Sequence, residues 1–285
     1  MDAKGPNAEQ IEYWNDRAGR SWVECKESID VLIEPLGRSA IERLAPAPGE
    51  SLLDVGCGTG QTSLELARCV GVEGSVLAVD ISSPMLRQAR ADAQAAGLKK
   101  LHFENADAQT YAFAPASVAG IFSRFGVMFF AEPGAAFANL RVALAPGGRI
   151  VFLCWQAAER NPWVTEIMAA VLRHVEAPPT PAPGGPGPFS LADAEALHTI
   201  LGKAGYATIR IDPLEQKLDL GAGGDLDRAV EQMMRSGPAS RLLADAAPEL
   251  RVEVAASLRE TLLPHSGPDG VWMDSAAWLV SANAA

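Results

Sequence analysis

Short apolar runs alternate with longer amphipathic stretches over residues 50–155, which predicts strands separated by helices. The apolar runs predict five strands, at 51–55, 75–79, 101–104, 118–123 and 149–155. The amphipathic stretches predict helices at 61–70, 83–97 and 133–144. Apolar strands that alternate with helices are typical of a parallel sheet covered on both faces.

The flanking regions predict further elements of both kinds. Residues 1–44 are predicted to be helical, because Ile11, Trp14, Ala18 and Trp22 recur at spacings of three and four. Beyond the fifth strand, the pattern predicts helices over 160–176 and 190–205, and over 225–263 with breaks at 237–238 and Pro248. It also predicts strands over 208–214, extending toward Leu220, and over 271–280. Between them, the Pro- and Gly-rich segment 177–189 is incompatible with helix or interior strand, so we expect a mobile extended loop there.

Composition narrows the class of protein. The chain has 285 residues, 48% of them hydrophobic, which is enough for one large domain with its own core. Its net charge of -11 disfavours nucleic acid as a partner, because such binding depends on Lys and Arg at the phosphates. The four cysteines lack the spacing of a zinc or redox pair, and we see neither a signal peptide nor a membrane-spanning run. We therefore expect a cytoplasmic protein without an integral membrane segment, as a monomer or homodimer.

The clearest motif runs from Asp54 through Gly56, Cys57 and Gly58 to Gly60, between a predicted strand and a helix. Glycines allow positive φ angles and let a ligand approach the backbone, while the helix supplies free N–H groups at its first turn. A nicotinamide or flavin site would place a third glycine at position 61, which is Gln. That spacing weakens the case for a dinucleotide.

Two further acids follow the next strands, and a polar turn follows the fourth. Asp80 ends the second strand and Asp107 follows the third, while Ser123 and Arg124 end the fourth. Ligands of open α/β sheets bind at the carboxyl ends of the strands, where all of these residues are predicted to meet. A carboxylate at position 80 can accept from two ribose hydroxyls, and one at 107 from an exocyclic adenine amine.

In these motifs the chain resembles the class I S-adenosylmethionine-dependent methyltransferases, and within them the small-molecule branch typified by the quinone-biosynthesis C-methyltransferases. The resemblance rests on 54–60, 79–80, 106–108 and 123–155. It implies an α/β fold with a Rossmann-like, doubly wound, seven-stranded, mostly parallel sheet, helices on both faces and a helical lid. The expected division is an N-terminal helical cap (1–44), a cofactor-binding core (45–155) and a remainder with helical substrate-binding insertions (156–285), all within one catalytic domain.

The resemblance also implies roles for individual residues toward S-adenosylmethionine and its product S-adenosylhomocysteine. Gly56, Cys57, Gly58 and Gly60 would line the methionyl part, and Asp54 would reach its ammonium group. Asp80 would bind the ribose hydroxyls, and a carbonyl of Ser123 or Arg124 would bind the ammonium group. Adenine would lie between Ile81 and Met85, beside Asp107 and Ala108. The N-terminal helices would cover the cofactor with residues that include Trp14 and Trp22.

The expected acceptor is a small organic molecule, aromatic, quinone-like or polyketide-like. The chain lacks the Asn/Asp-Pro-Pro-aromatic motif of many amine methylators after strand four, the cysteine set of arsenite methylation and the clustered carboxylates of a metal site. Phe125, Met128 and Trp163 are candidates for the acceptor pocket, and His174 and His265 are weak candidates for a base.

Several alternatives stay open on the sequence. Attack by oxygen or carbon is favoured over nitrogen without being decided. The same motifs would suit a non-catalytic S-adenosylmethionine-binding or regulatory module. An enzyme of NAD or a nucleotide sugar is a third hypothesis.

Overall fold

A seven-stranded, mostly parallel sheet forms the centre of the computed structural model, which describes residues 2–177, 185–236 and 239–285. The strands are β1 (Ser51–Val55), β2 (Ser75–Asp80), β3 (Leu101–Asn105), β4 (Val118–Arg124), β5 (Leu144–Trp155), β6 (Tyr206–Asp219), the two-residue β7 (Ser266–Gly267) and β8 (Gly270–Ala284). Their order is β3-β2-β1-β4-β5-β8-β6, and β7 pairs with β8 beside this path. Strands β1 to β5 are mutually parallel, whereas β8 is antiparallel to both β5 and β6.

Ten α-helices surround the sheet in the described part of the chain. They are α1 (Ala8–Asn15), α2 (Arg17–Glu24), α3 (Lys26–Leu44), α4 (Gln61–Val70), α5 (Ser83–Ala95), α6 (Pro133–Ala143), α7 (Pro162–Val171), α8 (Ala194–Lys203), α9 (Leu226–Arg235) and α10 (Pro248–Leu262). Short 3₁₀ turns lie at Val127–Phe129, Ala158–Arg160 and Leu263–His265.

Helices cover both faces of the sheet, as strand β5 shows. Arg149 donates through Nε to the carbonyl of Leu44 at the end of α3, 2.6 Å away. Phe152, three positions later and hence on the opposite face, contacts Phe137 of α6 with 5.3 Å between ring centroids. The predicted doubly wound α/β fold is therefore confirmed.

The order in which the chain adds strands changes direction at β1: β2 and β3 lie on one side of it, and β4 and β5 on the other. Such a switch point leaves a crevice at the carboxyl ends of the strands. The chain reaches β2 through α4 on one side of β1, while β4 lies on the other side. The loops after β1, β2, β3 and β4 therefore converge on one place, and they contain the polar residues that the sequence singles out.

Some element boundaries differ from the sequence prediction. The N-terminal helical region breaks at Asp16, so Trp14 and Trp22 lie on different helices and the prediction of one continuous face was wrong. Strand β5 begins at Leu144 and not at the predicted residue 149, because Leu144 already pairs with Val118 of β4 ahead of a bulge. Helix α8 begins at Ala194, since the Asp193 carboxylate caps it by accepting from the backbone N–H groups of positions 195 and 196.

The predicted loop 177–189 falls mostly on residues 178–184, which lie outside the described residues, as do the predicted helix-breaking residues 237–238. Among the helices of the described ranges, none combines the length and apolar character needed to cross a membrane.

Candidate functional site

The bend between β1 and α4 is a glycine turn of the kind that the sequence predicts. Gly56, Gly58 and Gly60 have φ angles of 67°, 55° and 86°, in the left-handed region that favours glycine. A Cβ on Gly56 would lie 2.6 Å from Cα of Gly126, so the ends of β1 and β4 touch there. A Cβ on Gly58 would meet only Met85 Sδ at 3.7 Å. The middle glycine is therefore the one whose Cα faces open space beside α5.

Asp54 lies fully buried under this bend. Its Oδ2 accepts from Thr62 Oγ1 at 3.0 Å and Ser63 Oγ at 2.6 Å, both in the first turn of α4. Its Oδ1 has no hydrogen-bond partner among the residues that the structure describes. Burial raises the pKa of Asp54 to about 6, although the two hydroxyl donors oppose that rise. A buried acceptor without a partner is costly, and a ligand donor would satisfy it.

Asp80 connects the glycine bend to the loop after β2. One carboxylate oxygen accepts from the backbone N–H of Gly58 and the other from that of Ser82, each at 2.7 Å. Burial raises the pKa of Asp80 to about 6 against these backbone donors. Each carboxylate oxygen has a second lone pair, so the group can accept further bonds from two neighbouring hydroxyls.

Asp107 is the third buried acid of the crevice. Its Oδ1 accepts from Asn7 Nδ2 at 2.8 Å and from the backbone N–H of Gln109 at 2.9 Å. Its Oδ2 is buried and finds no partner in the described chain. The neighbouring Ala108 is buried, and its carbonyl accepts from Asn139 Nδ2 at 2.9 Å. Asp54 and Asp107 thus each keep one buried oxygen available, on either side of Asp80.

Helix α1 is attached to the loop after β2. Asn15 Nδ2 donates to the carbonyl of Ile81 at 2.8 Å, and Ser82 Oγ donates to the carbonyl of Trp14 at 2.7 Å. The half-buried Trp14 ring meets Trp22 edge to face, with 5.7 Å between ring centroids. Met85 is buried in the first turn of α5. The sequence-predicted residues at 14, 22, 81 and 85 therefore lie around one loop.

The end of β4 is bound to both of its neighbours. Ser123 Oγ donates to the carbonyl of Val55 at 2.7 Å, which joins β4 to β1. The side chain of Arg124 is buried toward α3: one guanidinium nitrogen lies 2.5 Å from Gln61 Oε1 and another 3.8 Å from Asp30 Oδ1. Burial lowers the pKa of Arg124, and the nearby Asp30 carboxylate opposes that shift. The Arg124 side chain therefore makes a charge contact with α3.

An aromatic cluster follows β4 and β5. The Phe125 ring stacks on Trp155 with centroids 4.1 Å apart and planes at 12°, and Trp155 lies 5.3 Å from the Trp163 ring. Phe125 has a φ of 65°, an uncommon conformation for a non-glycine residue that occurs preferentially at functional sites. Met128 is buried, and its sulfur accepts from the backbone N–H of Trp155.

The two candidate bases lie between other elements. His174 Nε2 is 2.6 Å from Ser257 Oγ on α10, and His265 Nε2 is 3.0 Å from Glu166 Oε2 on α7. These hydrogen bonds join α7 to the α10 region and include no residue from the ends of β1 to β4. Cys57, by contrast, lies inside the bend, where burial raises its thiol pKa well above the ordinary value. A neutral thiol is consistent with a packing role there.

The structure adds residues that sequence reasoning missed: Asn7, Asp30, Gln61, Gly126 and Trp155. Trp155 is the last residue of the predicted fifth strand, and Gly126 lies three positions after the predicted fourth, so the strand pattern could have found both. Asn7 and Asp30 act across 100 and 94 positions, on Asp107 and Arg124, and no local pattern signals such contacts.

Known proteins resemble this chain over the same region. The sequence family described as a methyltransferase domain matches residues 52–148. An aklanonic acid methyltransferase of Streptomyces sp. (strain C5) is 34% identical over 118 residues, covering 41% of this chain and 54% of the relative. An O-methyltransferase of Penicillium expansum is 26% identical, covering 73% of this chain and 68% of the relative. The chain spans about half the length of the first two relatives it matches.

Solved structures share the fold at low sequence identity. The YcgJ protein from Bacillus subtilis has a TM-score of 0.58 at 14% identity, over 88% of this chain and 98% of that one. A phosphoethanolamine N-methyltransferase of Haemonchus contortus, solved with S-adenosyl-L-methionine, has a TM-score of 0.56 at 18% identity, over 88% of this chain and 52% of that one.

The fold defines a doubly wound α/β protein with an acid-lined crevice at its switch point. Residues 52–148 thus match a sequence family described as a methyltransferase domain, in keeping with the resemblance to the class I S-adenosylmethionine-dependent methyltransferases that the sequence motifs show.

Proposed function

We propose that the protein is an S-adenosylmethionine-dependent methyltransferase of a small organic acceptor. The observation that carries the proposal is the pair of unpartnered buried oxygens, on Asp54 and Asp107, that flank the carboxylate of Asp80. S-adenosylmethionine offers donors of matching type: an ammonium group, two ribose hydroxyls and an adenine amine. Its cationic centres also suit a buried acidic crevice.

The residues present fit this cofactor, and each has a proposed role. Asp54 accepts from the ammonium group, Asp80 from the ribose hydroxyls and Asp107 from the adenine amine. Gly56, Cys57, Gly58 and Gly60 line the methionyl part, and the carbonyls of Ser123 and Arg124 lie beside it. Ile81, Met85 and Ala108 flank the adenine. Trp14 and Trp22 cover the cofactor from the N-terminal side.

Methyl transfer needs positioning and exclusion of water more than covalent help from the protein. Bound S-adenosylmethionine would supply an electrophilic methyl group: as the acceptor oxygen or carbon bonds to that methyl, the S–CH3 bond would break with its electron pair left on sulfur as the thioether of S-adenosylhomocysteine, and the acceptor proton would pass to a base or to solvent. The chain's own part is to hold the ribose at Asp80 and the amino acid portion at Asp54, so that the reacting end is directed toward the cluster of Phe125, Trp155 and Trp163.

We propose an aromatic, quinone-like or polyketide-like acceptor, with O- or C-methylation. The stacked ring faces of Phe125 and Trp155 suit a flat apolar molecule, and Phe125 adjoins Gly126, which touches the glycine bend. The relatives named as aklanonic acid methyltransferase and O-methyltransferase support this class. Trp163 is the proposed outer part of this pocket and Met128 its packing support, while His174 and His265 keep only a proposed role as a base.

The proposed organisation is one catalytic domain of three parts: 1–44 as a cap, 45–155 as the cofactor-binding core and 156–285 as the substrate-binding remainder. We further propose a cytoplasmic monomer or homodimer without a nucleic-acid partner, in keeping with the net charge of -11.

The first test of the proposed function is calorimetry with S-adenosylhomocysteine. We expect binding by the native protein and a Kd at least about tenfold weaker for Asp80→Ala, because both hydroxyls lose their acceptor. Glu104→Ala is the matched control, since it removes an exposed acid from the neighbouring strand β3. Unchanged affinity in folded Asp80→Ala would contradict the ribose role.

The second test is turnover with methyl-labelled S-adenosylmethionine and a panel of phenols, quinones and polyketides. We expect label in an acceptor and release of S-adenosylhomocysteine. Cofactor binding without transfer to any acceptor class would favour a non-catalytic binding module. Quenching of tryptophan fluorescence by NADH but not by S-adenosylmethionine would favour the NAD or nucleotide-sugar hypothesis.

A further inference from the structure

Asn7 directly precedes α1, in the position where an asparagine side chain ordinarily caps its own helix. Its side chain makes no such cap. Instead Nδ2 donates to Asp107 Oδ1 at 2.8 Å, and Oδ1 accepts from the backbone N–H of Ala131 at 2.7 Å. The side chain thus forgoes a local capping hydrogen bond and instead makes contacts that are distant in sequence.

The orientation of the Asn7 amide follows from its partners. The backbone N–H of Ala131 can only donate, so the amide oxygen must face it and the amide nitrogen must face Asp107. Asn7 is only 3% exposed, so water does not compete for either bond. The amide therefore bridges the carboxyl-end loops of β3 and β4 in one defined orientation.

This bridge determines which oxygen of Asp107 remains available. Oδ1 accepts from both Asn7 and the backbone N–H of Gln109, so rotation of the carboxylate would break two buried hydrogen bonds. Oδ2 is left as the unpartnered acceptor. Without Asn7, only the Gln109 bond would orient the group.

The other end of α1 is attached beside the same proposed ligand. Asn15 donates from Nδ2 to the carbonyl of Ile81 at 2.8 Å and accepts through Oδ1 from the N–H of Ser83 at 2.9 Å. Helix α1 is about 12 Å long at 1.5 Å per residue. Its two ends therefore meet the loops after β3 and β2, and each of these loops carries a residue proposed to contact adenine.

We propose that Asn7 is a positioning residue for base recognition, which holds Asp107 so that Oδ2 accepts from the exocyclic amine of adenine. This inference rests on the proposed function. A merely structural Asn7 would attach the N-terminal segment to the sheet and leave the choice of base unaffected. The two roles differ in one measurable property, the discrimination between an amine and a carbonyl at that position of the base.

The test compares the Kd values of S-adenosylhomocysteine and its inosine analogue, in which a carbonyl replaces the amine. For the native protein we expect the adenine compound to bind at least about tenfold more tightly, because two acceptors would face each other in the analogue complex. For Asn7→Ala we expect this ratio to fall to about threefold or less, because Asp107 can then rotate.

Two further variants separate positioning from folding. Asn7→Ser places a good helix-capping residue before α1 but is too short to bridge Asp107 and Ala131, so we expect it to lose discrimination as Asn7→Ala does, although its hydroxyl can cap α1. Asn15→Ala loosens the other end of α1, and we expect it to weaken both ligands by a similar factor and keep their ratio.

The outcomes distinguish this inference from the proposed function. If Asn7→Ala and Asn7→Ser keep the native preference for S-adenosylhomocysteine over the inosine analogue, the positioning role of Asn7 is overturned and the proposed function stands. Equal binding of both compounds by the native protein shows that Asp107 does not read the amine, and also overturns it. Failure of the native protein to bind S-adenosylhomocysteine at all refutes the proposed function itself.

Discussion

Buried carboxylates dominate the candidate site at the scale of single residues. Asp54 and Asp80 both have pKa values raised to about 6 by burial, so in the free protein their negative charges are poorly stabilised. Strongly shifted acids of this kind concentrate at functional sites, where a ligand supplies the missing interactions. A cationic ligand with several donors would relieve both carboxylates at once.

Cofactor affinity should therefore depend on pH. Protonation of Asp54 or Asp80 removes the charge that attracts the ligand cation, so affinity should fall as the pH drops through about 6. We expect a Kd for S-adenosylhomocysteine about tenfold weaker at pH 5 than at pH 8, measured by calorimetry. Asp54→Asn should bind more weakly at pH 8 and show a shallower profile. An affinity that is constant over this range would contradict the proposed roles.

Stability of the ligand-free protein should show the opposite sign. Because the folded-state pKa of Asp54 lies above the ordinary aspartate pKa of 3.8, its stabilising contribution is present below pH 3.8 and is lost as the pH rises through about 6. We expect Asp54→Asn to gain stability relative to the native protein between pH 4 and pH 7, on the order of 1–3 kcal/mol. The measurement is urea unfolding at each pH, and a difference that does not change with pH would contradict it.

The contact between Gly56 and Gly126 offers a steric test. A Cβ on Gly126 would lie 2.8 Å from both Gly56 Cα and the Val55 carbonyl oxygen, and backbone atoms cannot move aside cheaply. We expect Gly126→Ala to destabilise the fold by about 1–3 kcal/mol in urea unfolding. Gly134→Ala in α6 is the control, because a Cβ there has nothing within 4 Å. Equal effects of the two substitutions would show that the close approach is unimportant.

Sequence reasoning reached the residues whose signal is local. The glycines at 56, 58 and 60 and the acids at 54 and 80 could be predicted, because a strand end followed by such residues is a pattern within a short window. The contact of Asn7 with Asp107 could not, because its side chain reaches past the helix that it should cap to a loop 100 positions away.

Three elements meet around one buried guanidinium at the scale of helices and strands. Arg124 on β4 contacts Asp30 on α3 and Gln61 at the start of α4. Asp30 also accepts from Lys26 Nζ at 2.6 Å, so the charge cluster extends along α3. This cluster holds α3 against the end of β4, which also forms part of the candidate site.

Removal of Asp30 alone should lower the free energy of unfolding more than replacement of both Asp30 and Arg124 by apolar residues. We expect Asp30→Ala to destabilise the protein by about 2–4 kcal/mol, because the buried charge of Arg124 is left with fewer partners. The double variant Asp30→Leu with Arg124→Met should recover part of that loss. Glu27→Ala, exposed on the same helix, is the control. Strictly additive effects in urea unfolding would contradict a coupled cluster.

Element boundaries show where local patterns stop being informative. The apolar runs predicted β1 to β4 to within a residue or two, because buried parallel strands are continuously apolar. The start of β5 and the break at Asp16 were missed. Both depend on tertiary contacts: β5 gains its early residues by pairing with β4, and α1 ends where Asn15 binds the loop after β2.

At the scale of the whole molecule, strands from distant parts of the chain pair in one sheet. Strand β8, near the C-terminus, pairs with β5 from the core and with β6, while α3 from the N-terminal region packs on β4, β5, β6 and β8. Residues 45–155 and 156–285 therefore contribute strands to one sheet, and residues of all three proposed parts, 1–44 included, lie in one hydrophobic core.

Unfolding should consequently be a single cooperative event. We expect one transition in differential scanning calorimetry, with calorimetric and van't Hoff enthalpies in agreement, and a higher Tm when S-adenosylhomocysteine is present. Two transitions, of which only one responds to the ligand, would instead mean that the C-terminal part folds as a separate unit.

The most direct test of the account is a crystal structure with S-adenosylhomocysteine bound. We predict the adenosyl group beside the glycine bend, both ribose hydroxyls within hydrogen-bond distance of the Asp80 carboxylate, and the adenine amine at Asp107 Oδ2. Ligand bound elsewhere, or an Asp80 carboxylate turned away from the sugar, would contradict it.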